Sequence, residues 1–170
     1  IKNKLKYMLE FNNIDENKKK AIAISRKIFK KFPVIYSSGG INEVLAIRFK
    51  GQLAENSKIL SYNSTFPEHN HNEIEGWNKL KDITSNFIVI WLKNQSDRYE
   101  IKKRMSIVSK IVDKHTSNQI QLESKTEDII SKVFEMINLI DWISYFLAIE
   151  NNIDPSPVKN IEKLKTLIGK

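Results

Sequence analysis

Two short stretches of this chain hold the residue types that could move a proton or bind a ligand. One is Gln52-Leu53-Ala54-Glu55-Asn56-Ser57-Lys58; the other is Phe66-Pro67-Glu68-His69-Asn70-His71-Asn72-Glu73, with two of the three histidines. A carboxylate and an imidazole converging from such segments, in one chain or from two subunits, form an acid/base pair. Moving a proton between adjacent carbons needs a single base of near-neutral pKa, and a partly buried glutamate reaches that range by desolvation. Glu55 and His71 are the candidates, although an exposed glutamate ordinarily has no such role. The alternation of His69, His71 and Glu73 also admits a metal: imidazole and carboxylate suit zinc or iron, and an extended strand would point all three one way. The competing reading, a polar loop whose side chains cap the next helix, fits Glu68 and His69 better.

Other chemistries are poorly supported. The chain has no cysteine, which excludes disulfides, thiolate metal sites and a cysteine nucleophile. There is no G-x-S-x-G elbow for a serine hydrolase. The turn Ser37-Ser38-Gly39-Gly40 is rich in backbone donors but lacks the G-K-[ST] ending of a nucleotide loop, and a plain turn explains its glycines equally well.

The elements that must position these residues alternate in type. Helical periodicity is expected over Lys2 to Phe11 and over Asp15 to Lys31, where Ala21, Ile24, Ile28 and Phe32 recur and Pro33 stops the helix. Pro33-Val34-Ile35-Tyr36 reads as a buried strand, Asn42 to Ala54 as a helix, and Lys58 to Tyr62 as a second strand. Phe87 to Leu92 is nearly all apolar, as in a strand covered on both faces. A helix over Asp97 to His115, a strand over Gln119 to Glu123, a long helix from a Thr126 cap to Glu150 and a final helix over Val158 to Ile168 complete the order. This alternation predicts an α/β fold, a three-layer α-β-α sandwich on a mostly parallel sheet. Ligands bind such sheets beyond the C-terminal strand ends, where Ser37 to Gly40, Asn63 to Asn72 and Glu123 to Thr126 are expected.

Composition agrees. A length of 170 residues is one domain's worth, and 41% hydrophobic content supports a core. The net charge of +8 suits anionic partners. The lysines are dispersed, however, and the densest run (Lys18, Lys19, Lys20, Lys27, Lys30, Lys31) lies on one amphipathic helix without interleaved aromatics, so no nucleic-acid partner is expected. No membrane partner is expected either: the longest apolar run, Val133 to Ile149, is interrupted by Glu135, Asn138 and Asp141. The chain opens at Ile1 with no visible secretory leader, and is expected to be a piece of a longer or processed protein located in the cytoplasm.

Taken in order, Pro33 to Tyr36, Ala46 to Lys58 (with E-N-S-K at its end), Pro67 to Trp77 (with N-H-N-E), Asp141, Tyr145 to Ala148, Asp154-Pro155 and Ile161 to Lys165 resemble the bifunctional phosphoglucose/phosphomannose isomerase family. The likeness runs from about residue 33 to the end. It implies the second of two tandem sugar-isomerase (SIS) domains, each with a five-stranded parallel sheet. The implied division is residues 1–32 as N-terminal helical linker segment and 33–170 as the C-terminal SIS domain. The implied activity is interconversion of glucose 6-phosphate, and in some members mannose 6-phosphate, with fructose 6-phosphate through a cis-enediolate, without metal or organic cofactor. Glu55 matches the family's base. His71 matches the ring-opening histidine, which reaches the neighbouring subunit's site in a homodimer. Lys165, with Lys163 as rival, matches a lysine near the C-terminus that lines the site; Ser156 lies where the family has a small hydroxyl residue. The family's phosphate-binding hydroxyls belong mainly to the first SIS domain, so this chain alone is expected to turn over little sugar phosphate. A non-catalytic SIS module that binds phosphosugars or mediates dimerisation is the alternative.

Overall fold

The nearly unbroken apolar run around residue 90 becomes the inner strand β3 (Phe87–Lys93), with Ile88 to Leu92 all buried. In the computed structural model, which describes residues 14–79, 81–124, 126 and 128–169, it pairs with β1 (Phe32–Ser38) on one side and β4 (Gln119–Glu123) on the other. The outer strand beyond β1 is β2 (Tyr62–Phe66). All pairings are parallel, in the order β2-β1-β3-β4, with Val34 opposite both Tyr62 and Val89, and Val89 opposite Gln119.

Side chains alternate across a strand, and the sheet divides its apolar residues accordingly. Ile35, Ile88, Ile90, Leu92, Ile120 and Leu122 face a layer of three helices: α1 (Ile14–Ile28), α2 (Ile41–Glu55) and α5 (Ile129–Glu150). Val34, Tyr36, Val89 and Trp91 face the opposite layer. That layer contains α4 (Tyr99–Val112) and two 3-10 turns, Glu68–Asn70 and Glu73–Asn78. A four-residue helix α3 (Lys81–Thr84) leads into β3, and α6 (Lys159–Ile168) follows α5. The fold is the expected three-layer α-β-α sandwich.

Several expectations need correction. Among the described residues the sheet has four strands, not five; after β4 the chain is committed to the 22-residue α5 and then α6, and no apolar run remains for another strand. The second strand lies at Tyr62–Phe66 instead of Lys58–Tyr62. Leu60, inside the expected strand, is 80% exposed, whereas β2 is an edge strand that tolerates Asn63, Ser64 and Thr65. The long helix is capped by Asp128, whose carboxylate accepts from Ser131 N–H at 2.9 Å, not by Thr126, whose hydroxyl donates to Glu135. The helix expected over Lys2 to Phe11 lies outside the described residues. From residue 14 onward, the segment expected as a linker buries Ala21, Ile24 and Ile28 in the same core as β1 and α5. No helix among the described residues is long and apolar enough to cross a membrane.

Because the strands are parallel, the helix after each one runs back to the opposite edge of the sheet. The chain therefore enters α2 at the C-terminal strand edge, through Gly40 at φ 69°, and leaves it at Glu55 on the other edge. Gly40 adopts a left-handed conformation that a β-carbon would strain.

Candidate functional site

At the N-terminal edge of the sheet, three side chains following Glu55 fasten the end of α2 to its surroundings. Asn56 Nδ2 donates to Ser144 Oγ at 2.9 Å and to Gln52 Oε1 at 2.8 Å. Ser57, fully buried, donates its hydroxyl to the Ser144 carbonyl at 2.6 Å, and its own carbonyl accepts from Asn151 Nδ2 at 3.4 Å. Lys58 Nζ donates to the carbonyls of Glu55 and, at 3.2 Å, Pro155. A cation at a helix C-terminus also complements the helix dipole. Farther back, Arg48 Nη2 pairs with Asp141 Oδ2 at 2.6 Å, again joining α2 to α5.

Within this anchored end Glu55 differs from its neighbours. Its carboxylate is exposed and has no hydrogen bond or ion pair to any described residue. It lines a groove of about 600 Å³, whose other wall is the segment joining α5 to α6, with Ile153, Asp154 and Pro157, and the first turn of α6, with Lys159 and Ile161. The Asp154 carboxyl is held below its ordinary range, first by the Ser156 N–H donated at 2.9 Å, then by the Ser156 hydroxyl, with Lys58 adding to the effect. Ser156 thus serves the turn beside the groove. Neither Lys165 nor Lys163 lines the groove itself. Ile161 and Lys159 do, and residues four apart share a helix face, so Lys165 and Lys163 each lie one turn beyond a lining residue.

His71 lies at the opposite edge. β2 ends at Phe66, a cis Phe66–Pro67 bond follows, and the Glu68–Asn70 turn delivers His71 to solvent. The five residues of β2 alone span about 16 Å, at about 3.3 Å each. The fold therefore does not bring Glu55 and His71 of one chain together.

His69 is held differently from His71. It is 1% exposed, stacked on Phe66 with centroids 4.8 Å apart and set edge-on to Tyr36 at 4.5 Å. Neither ring nitrogen has a hydrogen-bond partner, and Glu73 Oε1 is 4.0 Å from Nε2. Burial lowers its pKa, against the pull of the Glu73 carboxylate. Glu73 in turn accepts from Tyr62 Oη at 3.1 Å, and Trp77 Nε1 donates to Tyr36 Oη at 3.0 Å. Burial, followed by the nearby Glu73 charge, raises both tyrosines above their ordinary value. The segment is a pair of 3-10 turns, not an extended strand, so the alternation of His69, His71 and Glu73 does not point them one way; no metal-binding cluster of three occurs among the described residues.

At the C-terminal edge, the hydroxyls of the Ser37–Gly40 turn serve the fold. Ser37 Oγ lies 3.3 Å from Thr65 Oγ1, and Ser38 Oγ accepts from Asn42 Nδ2 at 3.0 Å. A ligand site confined to that edge, as parallel-sheet topology suggests, would not include Glu55, which is on the other one. The bridging role of Lys58 and the aromatic seat of His69 had no signal in residue spacing; the first depends on the turn after α5 reaching the end of α2, the second on packing against Phe66 and Tyr36.

Comparison with known proteins gives a consistent picture. Residues 17–168 match the family described as bacterial phospho-glucose isomerase C-terminal SIS domain. The bifunctional phosphoglucose/phosphomannose isomerase of Aquifex aeolicus is 32% identical over 158 residues, 93% of this chain and 49% of the relative. That of Caldicellulosiruptor bescii is 35% identical over 156 residues, 92% of this chain and 46% of the relative. The chain spans about half the length of these curated relatives. Among solved structures, a glucose-6-phosphate isomerase like protein from Thermus thermophilus superposes with a TM-score of 0.65 at 16% identity, covering 79% of this chain and 44% of that one. The C-terminal domain of glucosamine-fructose-6-phosphate aminotransferase from Francisella tularensis gives 0.65 at 17%, covering 84% and 42%. At such identities the likeness is one of fold.

Proposed function

Because this chain belongs to the bacterial phospho-glucose isomerase C-terminal SIS domain family, we propose that it is the catalytic half of an aldose–ketose isomerase. The substrates are glucose 6-phosphate, and mannose 6-phosphate where the C2 hydroxyl is accommodated, with fructose 6-phosphate as product. Residues 33–170 form the SIS domain in this reading, preceded by the segment 1–32, whose helix α1 packs on the same core, and a second, N-terminal SIS domain supplies most of the phosphate contacts. A cysteine-free chain acting on a phosphorylated sugar fits the cytoplasm, and this reaction is a step of glycolysis and gluconeogenesis.

In the proposed chemistry His71 and Lys165 assist ring opening. The Glu55 carboxylate then takes the proton from C2 of the open aldose. The C–H electrons form the C1–C2 double bond, and the former carbonyl oxygen carries the negative charge of the cis-enediolate. The C2 hydroxyl proton passes to O1, and the same carboxyl returns its own proton to C1 as the carbonyl forms at C2. The positive charge of Lys165 stabilises the intermediate. Since His71 and Glu55 lie at opposite sheet edges, His71 acts in the site of a second copy, and the working unit is a homodimer.

The observation that carries this reading is the partner-free Glu55 carboxylate on an otherwise fully anchored helix end, facing a groove of about 600 Å³. Such a group is free to exchange a proton with a ligand and is held where that ligand would lie. Glu55→Gln in the full-length protein keeps the shape and removes the base. Isomerase turnover should fall by about 10²–10⁴-fold, the usual contribution of a positioned general base, while sugar-phosphate affinity stays within a few-fold. A normal kcat would refute the assignment and leave the non-catalytic phosphosugar-binding module as the better reading.

A further inference from the structure

We propose that Lys58 is a positioning residue for Glu55: its ammonium ties the end of α2 to the opposite wall of the groove and so fixes the distance between the base and the sugar bound there. This rests on the reading of Glu55 as the base.

Two walls form the groove, and they are held in different ways. The wall carrying Glu55 is fastened sideways to α5, through Asn56 and Ser57 onto Ser144. Those bonds fix α2 against α5 but do not reach the turn Asp154–Pro157 across the groove. Lys58 does: one ammonium donates to the Glu55 carbonyl and to the Pro155 carbonyl, at 3.2 Å for the latter. The cation thus bridges the backbone of the proposed base and the backbone of the turn that leads into α6.

The backbone at Lys58 is consistent with a demand for the side chain. Its φ is 58°, a left-handed conformation. Chains leaving a helix commonly put glycine at such a position, because a β-carbon is disfavoured there. A lysine here accepts that strain and puts its charge at the rim of the groove, which it lines together with Glu55 and Asp154. Lys58 also helps hold the Asp154 carboxyl in its charged form.

Catalysis by a positioned base is steep in distance, and a misplacement of about 1 Å costs on the order of 10²-fold in rate. Loss of the bridge should therefore appear in kcat, not in binding. The test compares Lys58→Gly, Lys58→Met and Lys58→Arg in the full-length protein, with Glu55→Gln alongside. Glycine suits the left-handed backbone, so Lys58→Gly should melt within about 2 °C of wild type. Its kcat should nevertheless fall about 10–100-fold, with KM for fructose 6-phosphate within about threefold. Lys58→Met should lose kcat similarly, and Lys58→Arg, which keeps the donors, should recover most of it. If both Lys58→Gly and Lys58→Met keep kcat within about twofold, or if Arg is no better than Met, the positioning role is wrong. A raised KM at unchanged kcat would also overturn it, making Lys58 a substrate contact. If Glu55→Gln itself retains turnover, the base assignment fails and this inference with it. If Glu55→Gln is inactive while the Lys58 variants are normal, only this inference fails.

Discussion

Acidification should destabilise this chain through His69, and the size of the effect follows from its surroundings. The imidazole is 1% exposed between Phe66 and Tyr36, has no hydrogen-bond partner, and has a pKa below the ordinary 6.5 because burial penalises its charged form. In the unfolded chain the same group titrates at its ordinary value. Between that value and the depressed folded one, the unfolded state binds more protons than the native state, so stability falls as pH falls. The slope from this one group reaches about 1.4 kcal/mol per pH unit below pH 6.5, and above it the contribution to the pH dependence vanishes. Among the described residues, the charged group against the ring is Glu73, 4.0 Å from Nε2, which supports a proton on His69 and limits the loss. His69→Phe keeps an aromatic ring in the Phe66–Tyr36 slot and deletes the titration; it breaks no hydrogen bond, since neither nitrogen makes one. Urea unfolding at pH 7.5, 6.5 and 5.5 measures the difference. Between pH 6.5 and 5.5 the wild type should lose up to about 1 kcal/mol more than His69→Phe, a midpoint difference of up to about 0.5 M for an m-value near 2 kcal/mol/M. Glu73→Gln should steepen the wild-type loss. Parallel pH profiles for wild type and His69→Phe would show that burial does not keep this histidine neutral.

Two further outcomes follow from the same geometry. If each site takes Glu55 from one subunit and His71 from the other, mixing full-length Glu55→Gln and His71→Ala subunits should rebuild one intact site per mixed dimer, giving about a quarter of wild-type activity after random exchange; no recovery on exchange would show that both residues act within one subunit. Lys165 and Lys163 each lie one turn beyond a groove-lining residue of α6, Ile161 and Lys159; with Lys165 as the site lysine, Lys165→Met should reduce kcat at least about tenfold while Lys163→Met changes it less than about twofold, and the reverse ranking in steady-state kinetics would exchange their roles.

Most of the sheet was legible because inner strands must be apolar on both faces. Phe87 to Leu92 and Pro33 to Tyr36 could be little else, and Gln119–Glu123 showed the alternation of a strand with one face inward. β2 was misread because it is an edge strand: Asn63, Ser64 and Thr65 need less burial there, whereas Ile59 and Leu60, the more apolar pair, sit in the connection before it. Thr126 looked like a cap because hydroxyls cap helices, but Asp128, two residues closer, accepts the Ser131 N–H instead. At the site, E-N-S-K was legible as a motif but not as a division of labour. The fold assigns Asn56, Ser57 and Lys58 to holding the helix end and leaves Glu55 unengaged. His69 and His71, two positions apart in the sequence, proved opposite, one enclosed by aromatic rings and one in solvent.

A carboxylate at one pole of the sheet and an imidazole at the other has a further consequence if both serve one reaction. Turnover becomes a property of the encounter between molecules, and specific activity should decline when the enzyme is diluted past the point where copies separate. A substitution anywhere on the contact between copies would then inactivate the enzyme with every reacting group still correctly folded, and could be rescued simply by raising the protein concentration.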